Sequence, residues 1–285
     1  MVLESIIIPA EMERHPNRMF YVGFIYASVG LLLGFLVFGK YASLSSIFLT
    51  SMPLIVILYK AINLEEHKEM AIHSEFSLMK EHKHILSFFI SLFLGMVIAY
   101  AIWFSVLPSS IVERLFDTQM ETINSLTGGD INVTGAATGG LPALETILFN
   151  NLRVWFFCIL FSFIYGGGSI FILTWNASVI GVAAGNVFRE VVSKYSQAES
   201  HKLLSVYFAA VPVSLSYLVH GIPEIAAYFL GALGGGIISV AVIKHDIRSK
   251  NFRHVLTDSL DLLAVSLAVL IIAALVEVYI TPMAL

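Results

Sequence analysis

The sequence is short of charge, of cysteine and of any basic excess, and each shortage excludes something. Only 13% of its 285 residues are charged, while 58% are hydrophobic. A soluble domain of this length cannot bury so much apolar surface, so lipid must cover part of it. The formal net charge of -4 gives no general basic field, which excludes nucleic acid binding by phosphate neutralisation. Cys158, the single cysteine, cannot form an internal disulfide, and no thiolate metal spacing surrounds it. The chain also lacks a Walker A loop, an H-E-x-x-H helix and a G-x-S-x-G elbow, leaving no nucleotide, zinc-protease or serine-hydrolase signature. No cofactor and no metal is expected. Residues 1–18 are polar and of mixed charge, without the apolar core and small-residue cleavage site of a signal peptide; the first span is expected to be kept.

What is present is a succession of long apolar runs. About 20 apolar residues cross a bilayer core, which places spans at 19–39, 44–62, 84–107, 152–174, 203–219, 223–243 and 261–281. The fold class expected is all-α, a polytopic transmembrane bundle of about seven spans. Pro53 and several serines weaken the second span, so a re-entrant segment is its alternative. The apolar stretch 176–188 is too short to cross and reads as an interfacial or half-inserted helix. Seven spans from a cytoplasmic N-terminus leave only Lys40, Arg114 and Arg153 outside. Arg14, Arg18, Lys60, Lys68, Lys80, Lys83, Arg189, Lys194, Lys202, Lys244, Arg248, Lys250 and Arg253 then fall inside. That asymmetry gives N-in, C-out by the positive-inside rule. The chain divides into an N-terminal membrane region, 1–107, an outer segment, 108–150, and a C-terminal membrane region, 151–285.

The connections carry their own patterns. Residues 61–83 read as a cytoplasmic helix or helical hairpin, with Asn63 and Glu66 in the spacing of a capping signal. His67, His73 and His82 are spaced too irregularly to share a helical face, so a solvated face is expected there rather than a metal site. In the outer segment, Ser110 and Glu113 stand in capping-box spacing at the head of a helix over 110–126. Val112, Leu115, Phe116, Met120 and Ile123 follow a 3.6-residue period, and Glu113, Asp117 and Glu121 form an acidic ridge opposite. This helix is expected to lie on the outer membrane surface or against a partner, with the acidic ridge as the partner-binding face. A Gly-rich loop follows it.

The polar break His220-Gly-Ile-Pro223-Glu224 reads as a tight turn between the fifth and sixth spans. Ionisable residues at membrane depth are costly and usually paired or functional. Asn150, Asn151 and Arg153 reach the same outer boundary. One reading is a structural clasp in which Arg153 pairs with Glu224 and the asparagines and His220 complete the hydrogen bonds; the other is an ion or substrate site built from the same groups. Gly30/Gly34, Gly181/Gly185 and Gly231/Gly235 stand at GxxxG spacing, serving packing within the chain or a homodimer. Gly166-Gly167-Gly168 interrupts the fourth span and either packs closely or breaks the helix.

The stretch 145–243 resembles the stage II sporulation protein M family of multi-span membrane proteins. The resemblance lies in the paired Asn150-Asn151 opening a span, the glycine run, the Asn176 to Gly181 stretch, and His220-Gly-Ile-Pro-Glu224 followed by glycines. It implies a polytopic helical fold, a polar constellation at Asn150, Asn151, His220 and Glu224, and protein partners in the membrane or at the cell surface. Family members also occur in organisms that never sporulate, archaea included, so a sporulation role does not follow. The function expected is a non-catalytic membrane scaffold or complex subunit in a prokaryotic plasma membrane. The alternative is a transporter or channel-like protein with a site at His220 and Glu224.

Overall fold

The structure, a computed structural model, describes residues 16–71, 75–127, 141–165, 167–196, 221–244, 246 and 248–279. Among these the chain forms nine α-helices and no strand: α1 Asn17–Phe38, α2 Ala42–Ala71, α3 Glu75–Val106, α4 Ser109–Leu115, α5 Asp117–Thr127, α6 Leu141–Tyr165, α7 Ser169–Ser196, α8 Gly221–Lys244 and α9 Lys250–Tyr279. Six helical runs among the described residues are long and apolar enough to cross a membrane; the first, Asn17–His67, takes in α1 and α2 as far as His67. Within the apolar spans the helices satisfy their backbone groups internally and pack by shape.

Several of the sequence expectations need correction here. The fourth span, placed at 152–174, is not one helix. α6 ends at Tyr165, the chain bends through Gly167 and Gly168, and α7 runs on for 28 residues. The stretch 176–188 is therefore the middle of a membrane-length helix and not an interfacial stub. The glycine run sits inside a single apolar stretch, and hydropathy cannot register a turn whose residues are apolar. Gly167 makes the bend possible because a Cβ there would lie 2.7 Å from the carbonyl oxygen of Ile55 on α2. The expected span 203–219 lies outside the described residues.

The second correction concerns Arg189. α7 runs parallel to α3, with Gly181 against Val97 and Tyr100, and Gly185 against Ala101 and Phe104. This carries Arg189 to the end of α3, where its guanidinium donates to the carbonyl of Leu107 and lies 5.2 Å from the ring centre of Phe104. A cation there meets the unsatisfied carbonyls and negative dipole of a helix C-terminus. Arg189 and Lys194 thus share an end of the bundle with α4 and α5. The bias between ends persists, with Arg18, Lys60, Lys68, Lys83, Lys244, Arg248, Lys250 and Arg253 toward the opposite end.

α2 is continuous through Pro53, a span and not a re-entrant loop by its geometry. Near the proline, Thr50 Oγ1 donates to the carbonyl of Ser46 at 2.8 Å and Ser51 Oγ to that of Phe48 at 3.1 Å. These bonds tie both hydroxyls back to their own helix, although neither reaches the Leu49 carbonyl that Pro53 leaves without its N–H. Asn63 does not begin a helix either: it lies within α2, whose extension, with that of α3, makes the helical 61–83 segment. α8 is the central helix, with 83% of its apolar stretch buried, against 17% for α6 and 33% for α9. Phe229 on α8 stacks on Phe89 of α3 at 5.2 Å and meets Phe93 edge-on at 6.0 Å, joining the two sides of the bundle.

Candidate functional site

Two polar features stand out from the apolar packing. The first is built on α8. Gly221 opens the helix, so Pro223 and Glu224 lie in its first turn, where backbone N–H groups have no helical partner and proline costs nothing. A carboxylate there also meets the positive end of the helix dipole. Tyr228, one turn on, donates its hydroxyl to Glu224 Oε1 at 2.5 Å. Glu277 of α9 is within electrostatic reach of both. The polar break is thus the start of a helix in the described residues; His220 lies outside them.

Arg153 does not meet Glu224. α6 and α8 run parallel, with Trp155 against Gly231 and Ile159 against Gly235. Arg153 is then more than a turn below Glu224 and projects from the exposed side of α6, as does Asn150. Asn151, on the buried side, is 3% exposed, and its Nδ2 has no hydrogen-bond partner among the described residues. The contacts that tie α6, α8 and α9 are different ones: Trp155 Nε1 donates to Ser266 Oγ at 2.7 Å, Ser266 Oγ to the carbonyl of Ala227 at 2.6 Å, and Ser162 Oγ to that of Ala232 at 2.6 Å. A charged clasp does exist, at the other end of α8, where Lys244 Nζ lies 3.0 Å from Glu66 Oε2 of α2 and 3.2 Å from His67 Nε2. Glu66 is fully buried, although its sequence context reads as a solvated face.

All three GxxxG pairs are occupied within the chain. Gly30 and Gly34 take the backbone of α2 at Ser46 and Ala42, Gly181 and Gly185 take α3, and Gly231 and Gly235 take α6. A second copy has no access to these faces. Two glycines outside that spacing make the closest approach: Gly23 of α1 faces the backbone of Leu92, and Gly95 of α3 faces that of Phe20.

The second feature is the pair α4–α5. The expected single helix over 110–126 is interrupted at Phe116, and α4 begins at Ser109 with no side-chain cap bond, so the Ser110–Glu113 box does not form. The interruption lets Phe116 turn inward, fully buried, against Tyr100 and Phe104 at 6.5 and 5.5 Å. Gln119, also fully buried, spans from α2 to α7: it accepts from Ser43 Oγ at 2.8 Å and donates to Ser178 Oγ at 3.2 Å. The apolar stripe packs as its period implies, while Glu113, Asp117 and Glu121 are all exposed. Gln119 escaped the sequence reading because a single polar residue beside an apolar stripe looks like surface. The Gly-rich loop, 128–140, lies outside the described residues.

The model of the family described as stage II sporulation protein M matches residues 28–282. The chain belongs to that family. A relative described as "Uncharacterized protein MJ0793", from Methanocaldococcus jannaschii, is 29% identical over 140 residues, covering 48% of this chain and 70% of that protein. No solved structure matches. The family match reaches well beyond 145–243, taking in α2, α3 and the α4–α5 pair. The chain is thus a multi-pass membrane protein of that family with several apolar helices, and both polar features lie within the matched residues.

Proposed function

We propose that the chain is a non-catalytic integral membrane scaffold, or a subunit of a membrane protein complex, in a prokaryotic plasma membrane. Its α4–α5 pair presents an acidic surface to a membrane or cell-surface protein whose docking face is basic. The observation that carries this reading is Gln119. A helix pair held only by apolar contact would drift on the bundle, whereas hydrogen bonds to Ser43 and Ser178 fix where Glu113, Asp117 and Glu121 stand. A preorganised surface loses less freedom on binding, and a fixed charge pattern selects its partner. The excess of Lys and Arg at the far end supports an N-in orientation, which puts the ridge outside the cell.

Reversing all three acids to lysine tests this. Like charges brought together across an interface cost several kcal/mol, so partners that co-purify with the tagged parent are lost from the triple variant. Glu113 and Glu121 are exposed, so reversing them leaves the melting temperature in detergent unchanged, whereas reversing Asp117, whose Oδ1 accepts from Thr118 N and Oγ1 at the start of α5, adds a modest loss there. Retention of the same partners would remove the ridge from the account. A transport or channel role is the second reading, favoured by the Glu224–Tyr228 pair on α8 and by the buried Asn151 of α6, whose Nδ2 has no hydrogen-bond partner among the described residues. It is preferred if both parent and variant purify alone.

A further inference from the structure

α6 is the least covered of the spans, and its outward face is unlike a plain lipid surface. Arg153 is exposed within the candidate span Leu144–Phe163. Phe149, Phe156 and Phe157, at i−4, i+3 and i+4, share its face and are 72%, 55% and 37% exposed. A charged side chain in a membrane span ordinarily faces the interior or pairs. Among the described residues Arg153 has no ion-pair partner. α9 lies beside α6, joined by the Trp155–Ser266 bond, and shows the converse feature. Asp261 is exposed within the candidate span Lys250–Tyr279, also with no ion-pair partner among the described residues. On the same stripe follow the exposed Ala264 and Ala268, at the small-xxx-small spacing that admits a neighbouring helix closely.

One outward surface therefore holds a cation on α6 and an anion on α9, which makes it self-complementary. We propose that this surface binds a second copy of the chain, with α6 of each protomer packed on α9 of the other about a two-fold axis along the membrane normal. An isologous interface uses each contact twice, so two Arg153–Asp261 pairs form. The packing levels agree to within an arginine's reach: Trp155 lies against Gly231, and Gly234 lies against Ser259 and Leu263, which sets Arg153 and Asp261 roughly five residues apart in height, about 8 Å at 1.5 Å per residue. The phenylalanines and alanines fill the seam between them. This dimer is independent of the α4–α5 ridge and does not use the GxxxG faces.

The test is charge reversal with differently tagged copies, co-expressed and purified in detergent and in lipid nanodiscs. Unaltered copies co-purify. Arg153→Asp copies do not co-purify with each other, nor do Asp261→Arg copies, because every pair becomes like-charged. Arg153→Asp copies co-purify with Asp261→Arg copies, since one protomer then supplies two acids and the other two arginines. That recovery also shows that both variants fold. The proposal is overturned if unaltered copies fail to co-purify, if either single reversal leaves self-association intact, or if the mixed pair does not recover it.

Discussion

Gly95→Leu is expected to abolish the packing of α1 on α3 and to give the largest loss of stability of any substitution in the bundle. The two helices run parallel and meet backbone to backbone. A Cβ at Gly95 would collide with the carbonyl of Phe20 and lie 3.0 Å from the amide nitrogen of Phe24, and one at Gly23 would collide with the carbonyl of Leu92. Overpacking a core costs about 1–3 kcal/mol, and more where nothing can yield. Here the obstacle is helical backbone, which cannot swing aside as a flexible side chain does. The bond from Trp103 Nε1 to Ser28 Oγ, 2.9 Å long, is broken as the helices part. Thermal unfolding in detergent checks this against Gly221→Ala, where nothing lies within 4 Å of the added carbon. The control melts with the parent. Equal melting temperatures for Gly95→Leu and the parent would mean that the approach of α1 to α3 is wrong.

Gln119→Leu is the next largest effect, and it falls on one element only. The change keeps the volume but leaves Ser43 Oγ, which donates to Gln119, without its acceptor in a fully buried position. Ser178 Oγ keeps its own bond to the carbonyl of Trp175, so the loss is about that of one unsatisfied buried group, ~1–3 kcal/mol. The docking of α5 weakens by that amount, roughly tenfold or more in its opening equilibrium. Hydrogen exchange over Asp117–Thr127 then quickens strongly, while amides in α3 and α8 exchange as before. Unchanged protection of α5 would show that its apolar stripe alone holds it.

The parts of this fold that were legible in the sequence are those where one physical signal acts alone. α1, α3 and α8 appear as apolar runs because lipid imposes hydropathy over a whole span. The outward set of Glu113, Asp117 and Glu121 appears because a 3.6-residue period separates a buried stripe from an exposed ridge. The remainder depends on partners far apart in the chain. The bend at Gly167 needs the backbone of α2, so the apolar stretch containing it looked like one span and a stub. Arg153 and Glu224 looked paired because both were assigned to one boundary; the register of α6 on α8, set by Trp155 against Gly231, separates them. Glu66 looked solvated because nothing local marks its contact with Lys244, 178 positions away. Gly23 and Gly95 belong to no GxxxG repeat, yet they form the closest helix contact. In each case a tertiary neighbour, and not the local pattern, decides the outcome.

The central claim is that the acidic face of α4–α5 is where this protein meets its partner. Site-specific photo-crosslinking in native membranes tests it most directly, with a photoreactive residue at Asp117 and, for comparison, at Leu32, which is 57% exposed on the lipid-facing side of α1. The account predicts a discrete, stoichiometric protein adduct from position 117, on the outer side of the membrane, and lipid adducts alone from position 32. Lipid or no adduct from position 117, or the same protein adduct from both positions, would contradict it.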